Sequence, residues 1–121
     1  MKIGLDLDGT VYAHPLFFAA MIESMSEAGH TFYCISSHGR DEWPEDCKRL
    51  LAHGINPDRI SPEMMYDNRH GSVQKKGGQA NRLDVIFDDD FRVQLFTATV
   101  QFAPLRGGNS HVTPTGVVYR K

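Results

Sequence analysis

The chain has 121 residues, is 40% hydrophobic and carries a formal net charge of −2, which suits one packed domain and excludes a disordered, highly charged chain. No basic run points to duplex nucleic acid or an anionic membrane, and no apolar stretch reaches the roughly 18 residues of a membrane span. The sequence enters an apolar strand at once, so no leader peptide is expected, and a cytoplasmic location is.

Ile3 to Val11 reads Ile-Gly-Leu-Asp-Leu-Asp-Gly-Thr-Val: an apolar run of the kind found in buried strands, ending in two carboxylates at i and i+2. In a regular strand Asp6 and Asp8 share a face, an arrangement that costs free energy unless a cation or a proton separates the charges. Gly9 then allows a sharp turn or a close approach to a ligand. Pro15 sits where a helix starts, Phe17, Phe18, Met21, Ile22 and Met25 follow at helical spacing as a core-facing stripe, and Gly29 closes the helix. Thr31 to Ile35 reads as a second strand that stops at Ser36 and Ser37.

A second helix is expected from about Asp41 to His53, with Trp43 and Pro44 near its start and Gly54 as its stop. A short third strand fits within Asp58 to Met65. Gly71 to Arg82 reads as loop or helix, because Gly77-Gly78 weakens a helix. Leu83 to Phe87 is a strand that ends at Asp88, Asp89 and Asp90. Val100 to Ala103 supplies a fifth strand, and Val117 to Tyr119 a weaker last one, in a hairpin across Gly107-Gly108. Cys34 and Cys47 form no disulfide framework and no ligand pair, and read as reduced packing thiols.

Strands alternating with helices imply an α/β domain with a mainly parallel sheet, in which ligands gather at the carboxyl ends of the strands. Three apolar strands stop at chemistry-bearing groups: Asp6/Asp8, Ser36/Ser37 and Asp88/Asp89/Asp90. Parallel packing would collect all three on one edge.

In these motifs the chain resembles the haloacid dehalogenase-like superfamily, over about residues 2–103. Asp6-Leu7-Asp8-Gly9-Thr10 matches its first motif and Ser36, or Ser37 one position later, its second. Lys75 or Lys76, with Lys76 preferred, matches the third, and Asp88-Asp89 the fourth. Val-Ile-Phe-Asp-Asp together with the Asp-x-Asp start is loosely similar to small nucleotidase-like members. The resemblance implies a three-layer Rossmann-like fold over 1–121 and a magnesium-dependent phosphohydrolase. Asp6 would be the nucleophile, forming an aspartyl-phosphate, and Asp8 the acid and then the base. Thr10, Ser36 or Ser37, and Lys76 would hold the phosphoryl group. Magnesium would be bound by Asp6, Asp8 through its carbonyl, Asp88 and Asp89, with Asp89 orienting a metal water or Lys76 from behind. To donate at neutral pH Asp8 would have to hold a proton, which like charge and burial favour and a bound metal opposes.

About 25 residues separate Thr10 from Ser36, too few for an inserted domain, so the resemblance implies a core without a cap. An open site of that kind suits a phosphorylated macromolecule, or a small phosphorylated compound such as a nucleotide beneath a second copy of the chain. His38, Gly39 and Arg40 either rim the pocket or form a polar loop with a helix-start signal. His14 either touches substrate or is a plain loop residue. Asp90 starts the next turn. The six histidines have no zinc-ligand spacing, and the basic patch from Arg69 and His70 to Lys76 is too short for nucleic acid. A receiver-like signalling domain has the same residue types in the wrong order, and a binding protein without useful turnover is the remaining alternative.

Overall fold

The structure, a computed structural model, describes residues 1–65 and 72–103 and two short strand segments at 111–112 and 118–119. At its centre lies β1 (Lys2–Leu5), which pairs in parallel with β2 (Thr31–Cys34) on one side and β4 (Val85–Phe87) on the other. The short β3 (Ile60–Ser61) extends the sheet beyond β2, and β5 (Val100–Phe102) extends it beyond β4. The result is a five-stranded, all-parallel sheet in the order β3-β2-β1-β4-β5 in a mixed α/β chain.

Alternation along the strands sorts the core into two clusters. Ile3, Leu5, Phe32 and Cys34 belong to one, which also holds Val11, Phe18, Ile22 and Leu50. Ile35 and Ile86 belong to the other, with Ala80, Leu83 and Val93. The period-two side-chain rule accounts for this division. Gly4 shows how tight the second cluster is, because a Cβ there would lie 2.7 Å from Leu83 Cδ1 and 2.9 Å from both Ile35 Cδ1 and Ile86 Cγ2.

Helix α1 (Pro15–Glu27) carries Pro15 in its first turn and buries Phe18 and Ile22, with Met21 and Met25 packed at the margin. Phe17 is the exception to the expected stripe. It is 58% exposed and lies edge-on to Phe18, facing an open groove of about 410 Å³ lined by His14, Phe17, Phe18, Phe87, Phe102 and Ala103. Helix α2 (Trp43–Ala52) starts two residues later than expected, because a 3-10 turn over Arg40–Glu42 precedes it.

Helix α3 (Ser72–Ala80) resolves the segment left between loop and helix, and it contains both Gly77 and Gly78. Its end delays β4: Arg82 and Leu83 still donate to Gln79 and Ala80, so the strand opens at Val85 rather than Leu83. A 3-10 turn over Phe91–Phe96 then packs against α3 and leads toward β5.

The last hairpin pairs β6 (His111–Val112) with β7 (Val118–Tyr119) in antiparallel fashion. Residues 113–117, between the two strands, lie outside the described residues. Gly107-Gly108, where the turn was expected, precede both strands and lie outside the described residues, as do Arg69 and His70 of the basic patch. Cys34 and Cys47 are free thiols, Cys34 is fully buried, and burial pushes its pKa up. Among the described residues no helix is long and apolar enough to cross a membrane.

Candidate active site

The parallel register decides what meets at the carboxyl edge. Leu5 is level with Cys34 on one side and Phe87 on the other, so the next residues of the three strands emerge together. Asp6 is still tied to β4, its N–H donating to the Phe87 carbonyl at 2.9 Å. Asp88 is tied in turn to β5 by its own N–H, 3.0 Å from the Phe102 carbonyl.

After Asp6 the chain coils through Leu7–Val11, and Gly9 takes φ +76°. Two constraints require glycine there. The positive φ disfavours a side chain, and a Cβ would lie 2.4 Å from Asp89 Oδ2. The first loop thus closes directly on the loop that follows β4.

Five buried or half-buried groups meet in this contact: Asp6, Thr10, Lys76, Asp88 and Asp89. Lys76 Nζ, from α3, donates to Asp6 Oδ1 at 2.8 Å and to Asp88 Oδ2 at 3.1 Å. The fully buried Thr10 hydroxyl lies 3.3 Å from Asp6 Oδ2 and 3.4 Å from Asp89 Oδ1, with one hydrogen to give. Its oxygen accepts the Asp89 N–H at 3.0 Å. Asp6, Asp88 and Asp89 each offer a carboxylate oxygen within 4.8 Å of the others.

The electrostatics follow from burial. Burial pushes the Asp6 carboxyl up to about 6 even though Lys76 opposes the shift. Burial, and after it the Asp6 charge, push Asp88 up to about 7. Asp89 is raised as well, chiefly by burial. Burial alone would lower Lys76, but the charges of Asp6 and then Asp88 outweigh it and hold the ammonium above its ordinary value. One lysine therefore faces three carboxylates, an excess of negative charge that a divalent cation would relieve. The donors are hard oxygens of the kind magnesium takes, so the residues present fit that ion. Lys76, rather than the half-buried Lys75, is the lysine in the cluster.

Asp8 faces a different set of partners. Its side chain is 53% exposed, with His38 Nε2 2.6 Å from Oδ2 and Arg49 Nη1 3.6 Å from Oδ1. The other His38 nitrogen, Nδ1, lies 2.9 Å from Oδ2 of the buried Asp46, whose Oδ1 accepts the Tyr12 hydroxyl at 2.7 Å. The hydrogen bond to Asp46, opposed by burial, carries His38 up to about 9, so both ring nitrogens carry hydrogen at neutral pH. Asp8 is therefore not a buried partner of Asp6, and its carboxylate is not part of the acidic trio.

Ser36 is buried near the same edge, and its Oγ accepts the His38 N–H at 3.0 Å. Ser37 is half-buried. Asp90 starts the next turn, accepting from the Arg92 N–H at 3.0 Å and pairing with the Arg92 guanidinium at 2.6 Å. His14 lines the aromatic groove.

Sequence reasoning missed Asp46, Tyr12 and Arg49. Asp46 reads as an acidic residue in a helix first turn, where the helix dipole is reason enough for it. Nothing in its spacing from His38 signals a contact, because the loop over residues 35–42 determines it.

Fold and site together define a parallel α/β protein with an acidic and lysine cluster at the carboxyl edge of its sheet. No protein-family model, curated protein or solved structure matches the chain.

Proposed function

We propose that this chain is a magnesium-dependent phosphohydrolase acting through Asp6, in the manner of the haloacid dehalogenase-like superfamily, on a three-layer Rossmann-like core without a cap. One observation carries the reading: Asp6, at the end of the central strand, is buried against Lys76, Asp88 and Asp89. The two core clusters, fed by alternate residues of the same strands, support the three-layer description.

Asp6, Asp88 and Asp89 would hold magnesium through carboxylates and Asp8 through its backbone carbonyl. The ion, when bound, supplies charge screening and Lewis-acid polarisation. The remaining chemistry belongs to the chain. Asp6 Oδ attacks phosphorus and the ester oxygen leaves, giving an acyl phosphate on Asp6. Lys76 neutralises phosphoryl oxygens, Ser36 offers a hydroxyl to them, and Thr10 clasps the loops that carry Asp6 and Asp89. Asp8 handles protons at the leaving oxygen and then at water. The substrate class is a phosphorylated compound in an open site, either a macromolecule or a small molecule such as a nucleotide covered by a second copy of the chain.

The test is hydrolysis of p-nitrophenyl phosphate by wild type and Asp6→Asn, with magnesium and with chelator. Turnover that vanishes in the variant and on chelation upholds the reading. If both proteins are inert while wild type binds magnesium, the small-substrate reading is lost, and a phosphorylated macromolecule assayed in the same way decides between turnover on that substrate and a metal-binding protein without turnover.

A further inference from the structure

The Asp8–His38–Asp46–Tyr12 chain is more fixed than an exposed loop carboxylate needs. Asp46 is only 5% exposed, and both of its oxygens are engaged, one by Tyr12 and one by His38. The His38 ring cannot turn without breaking the bond to Asp46, and its main chain is held by the N–H donated to Ser36 Oγ. The ring therefore presents Nε2 at a set position, 2.6 Å from Asp8 Oδ2. The Asp8 side chain, more than half exposed, would otherwise sample several rotamers. With Oδ2 taken, Oδ1 is the oxygen left to accept a proton. Its nearest cation, Arg49, is at 3.6 Å and is itself drawn over the Tyr12 ring, 3.9 Å from the centroid.

We propose that His38, seated on Asp46 and Tyr12, is a positioning residue that fixes the Asp8 carboxylate for the water-activating half of the reaction. The role rests on the phosphohydrolase reading. In that half, water attacks phosphorus of the acyl phosphate while its proton passes to Asp8 Oδ1. The bond from phosphorus to the Asp6 oxygen breaks, its electron pair returns to Asp6, and phosphate departs. His38 touches no reacting atom and neither gains nor loses a proton. A purely structural reading gives Asp46 only the dipole of α2 and gives His38 only loop packing.

Kinetics on p-nitrophenyl phosphate separate the two. The leaving group is good, so the first half needs little proton donation. Slowing only the breakdown of the acyl phosphate lowers kcat and KM together and leaves kcat/KM unchanged, because that ratio is set in the first half. Loss of site structure lowers kcat/KM instead. His38→Phe keeps a planar aromatic ring, somewhat larger than imidazole, and removes both N–H groups, and it is expected to lower kcat and KM in parallel by about 10-fold or more. A burst of nitrophenolate near one equivalent per enzyme should accompany the drop. His38→Gln, which restores an amide donor, should recover part of kcat. Asp46→Asn should move both constants in the same direction and serves if His38→Phe fails to fold.

A fall of kcat/KM in step with kcat, or folded variants with wild-type constants, would overturn the positioning role while leaving Asp6-dependent turnover standing. Wild type without turnover, or Asp6→Asn with full turnover, would instead remove the phosphohydrolase reading and this role with it.

Discussion

Gly9 and Asp89 are in contact closer than any side chain at position 9 permits: a Cβ there would stand 2.4 Å from Asp89 Oδ2 and 2.7 Å from its Cγ. The contact joins the loop after β1 to the loop after β4, and Thr10 seals it from the other side with bonds to both Asp6 and Asp89. The cluster is held by backbone proximity as well as by charge.

Gly9→Ala should therefore cost more than the same change at an open glycine of similar φ. Gly54 has φ +78° with nothing within 4 Å of its would-be Cβ. Gly54→Ala is expected to cost about 1 kcal/mol, the usual penalty for the left-handed region. Gly9→Ala adds a displacement of Asp89 and should cost a further ~1–3 kcal/mol. Urea unfolding of both variants beside wild type gives the comparison. Equal losses would show that the Asp89 contact is soft.

Gly77 and Gly78 make a second matched pair, on α3. A Cβ on Gly77 would lie 2.3 Å from Phe96 Cβ and 2.8 Å from the Phe96 backbone, whereas Gly78 has nothing within 4 Å. Gly78→Ala should stabilise the protein by about 0.5–1 kcal/mol through helix propensity alone. Gly77→Ala should destabilise it, by about 1–3 kcal/mol, because α3 must shift away from the Phe91–Phe96 turn. Because Lys76 precedes Gly77, that shift should also reduce turnover. Thermal melts and p-nitrophenyl phosphate assays read the two effects separately.

The same pair shows why α3 was hard to read from sequence. Adjacent glycines argue against a helix locally, and the compensating contact with Phe96 comes from a turn far along the chain. The main strands were legible because each is an apolar run cut off by polar groups, and parallel pairing then made the Asp6, Ser36 and Asp88 edge legible too. Lys76 could be singled out only as one of two neighbours. The partners of Asp8 could not be read: Asp46 lies on α2, and the loop that brings His38 between it and Asp8 has no periodic pattern. The hairpin expectation paired the right strand around the wrong turn, since Gly107-Gly108 outweighed the two-residue strand at His111–Val112 that follows them.

Stability of the metal-free protein should fall as pH rises from 4 to 9, in two stages. Asp6 and Asp88 are raised from 3.8 to about 6 and about 7 by burial, so they favour the native state most fully below 3.8. That contribution disappears as pH climbs through 6 to 7 and both carboxyls lose protons in a buried site. His38 is raised from 6.5 to about 9, chiefly by its bond to Asp46. Its contribution is complete below 6.5 and disappears as pH rises through 9. Urea midpoints at pH 5, 7 and 9 with chelator should decrease in that order. Added magnesium should flatten the first stage, because an ion bound to the carboxylates stabilises their charged forms. A midpoint that rises between pH 5 and 7 in chelator would contradict the burial of Asp6 and Asp88.

Lys76→Met tests what the lysine does for the cluster. The substitution leaves Asp6 and Asp88 buried without their shared cation, and breaking a buried pair in this way costs about 3–5 kcal/mol. The loss should shrink at pH 5, where both carboxyls can protonate. Lysine and a divalent cation also compete for the same negative charge, so the variant should bind magnesium more tightly by titration calorimetry. Turnover should move the opposite way. Without the ammonium that neutralises phosphoryl oxygens, kcat/KM on p-nitrophenyl phosphate is expected to fall by about 10²–10³-fold. Tighter metal binding with lower turnover is a combination that simple unfolding cannot produce. A variant that binds magnesium more weakly than wild type while still folded would place the ion away from Asp6 and Asp88.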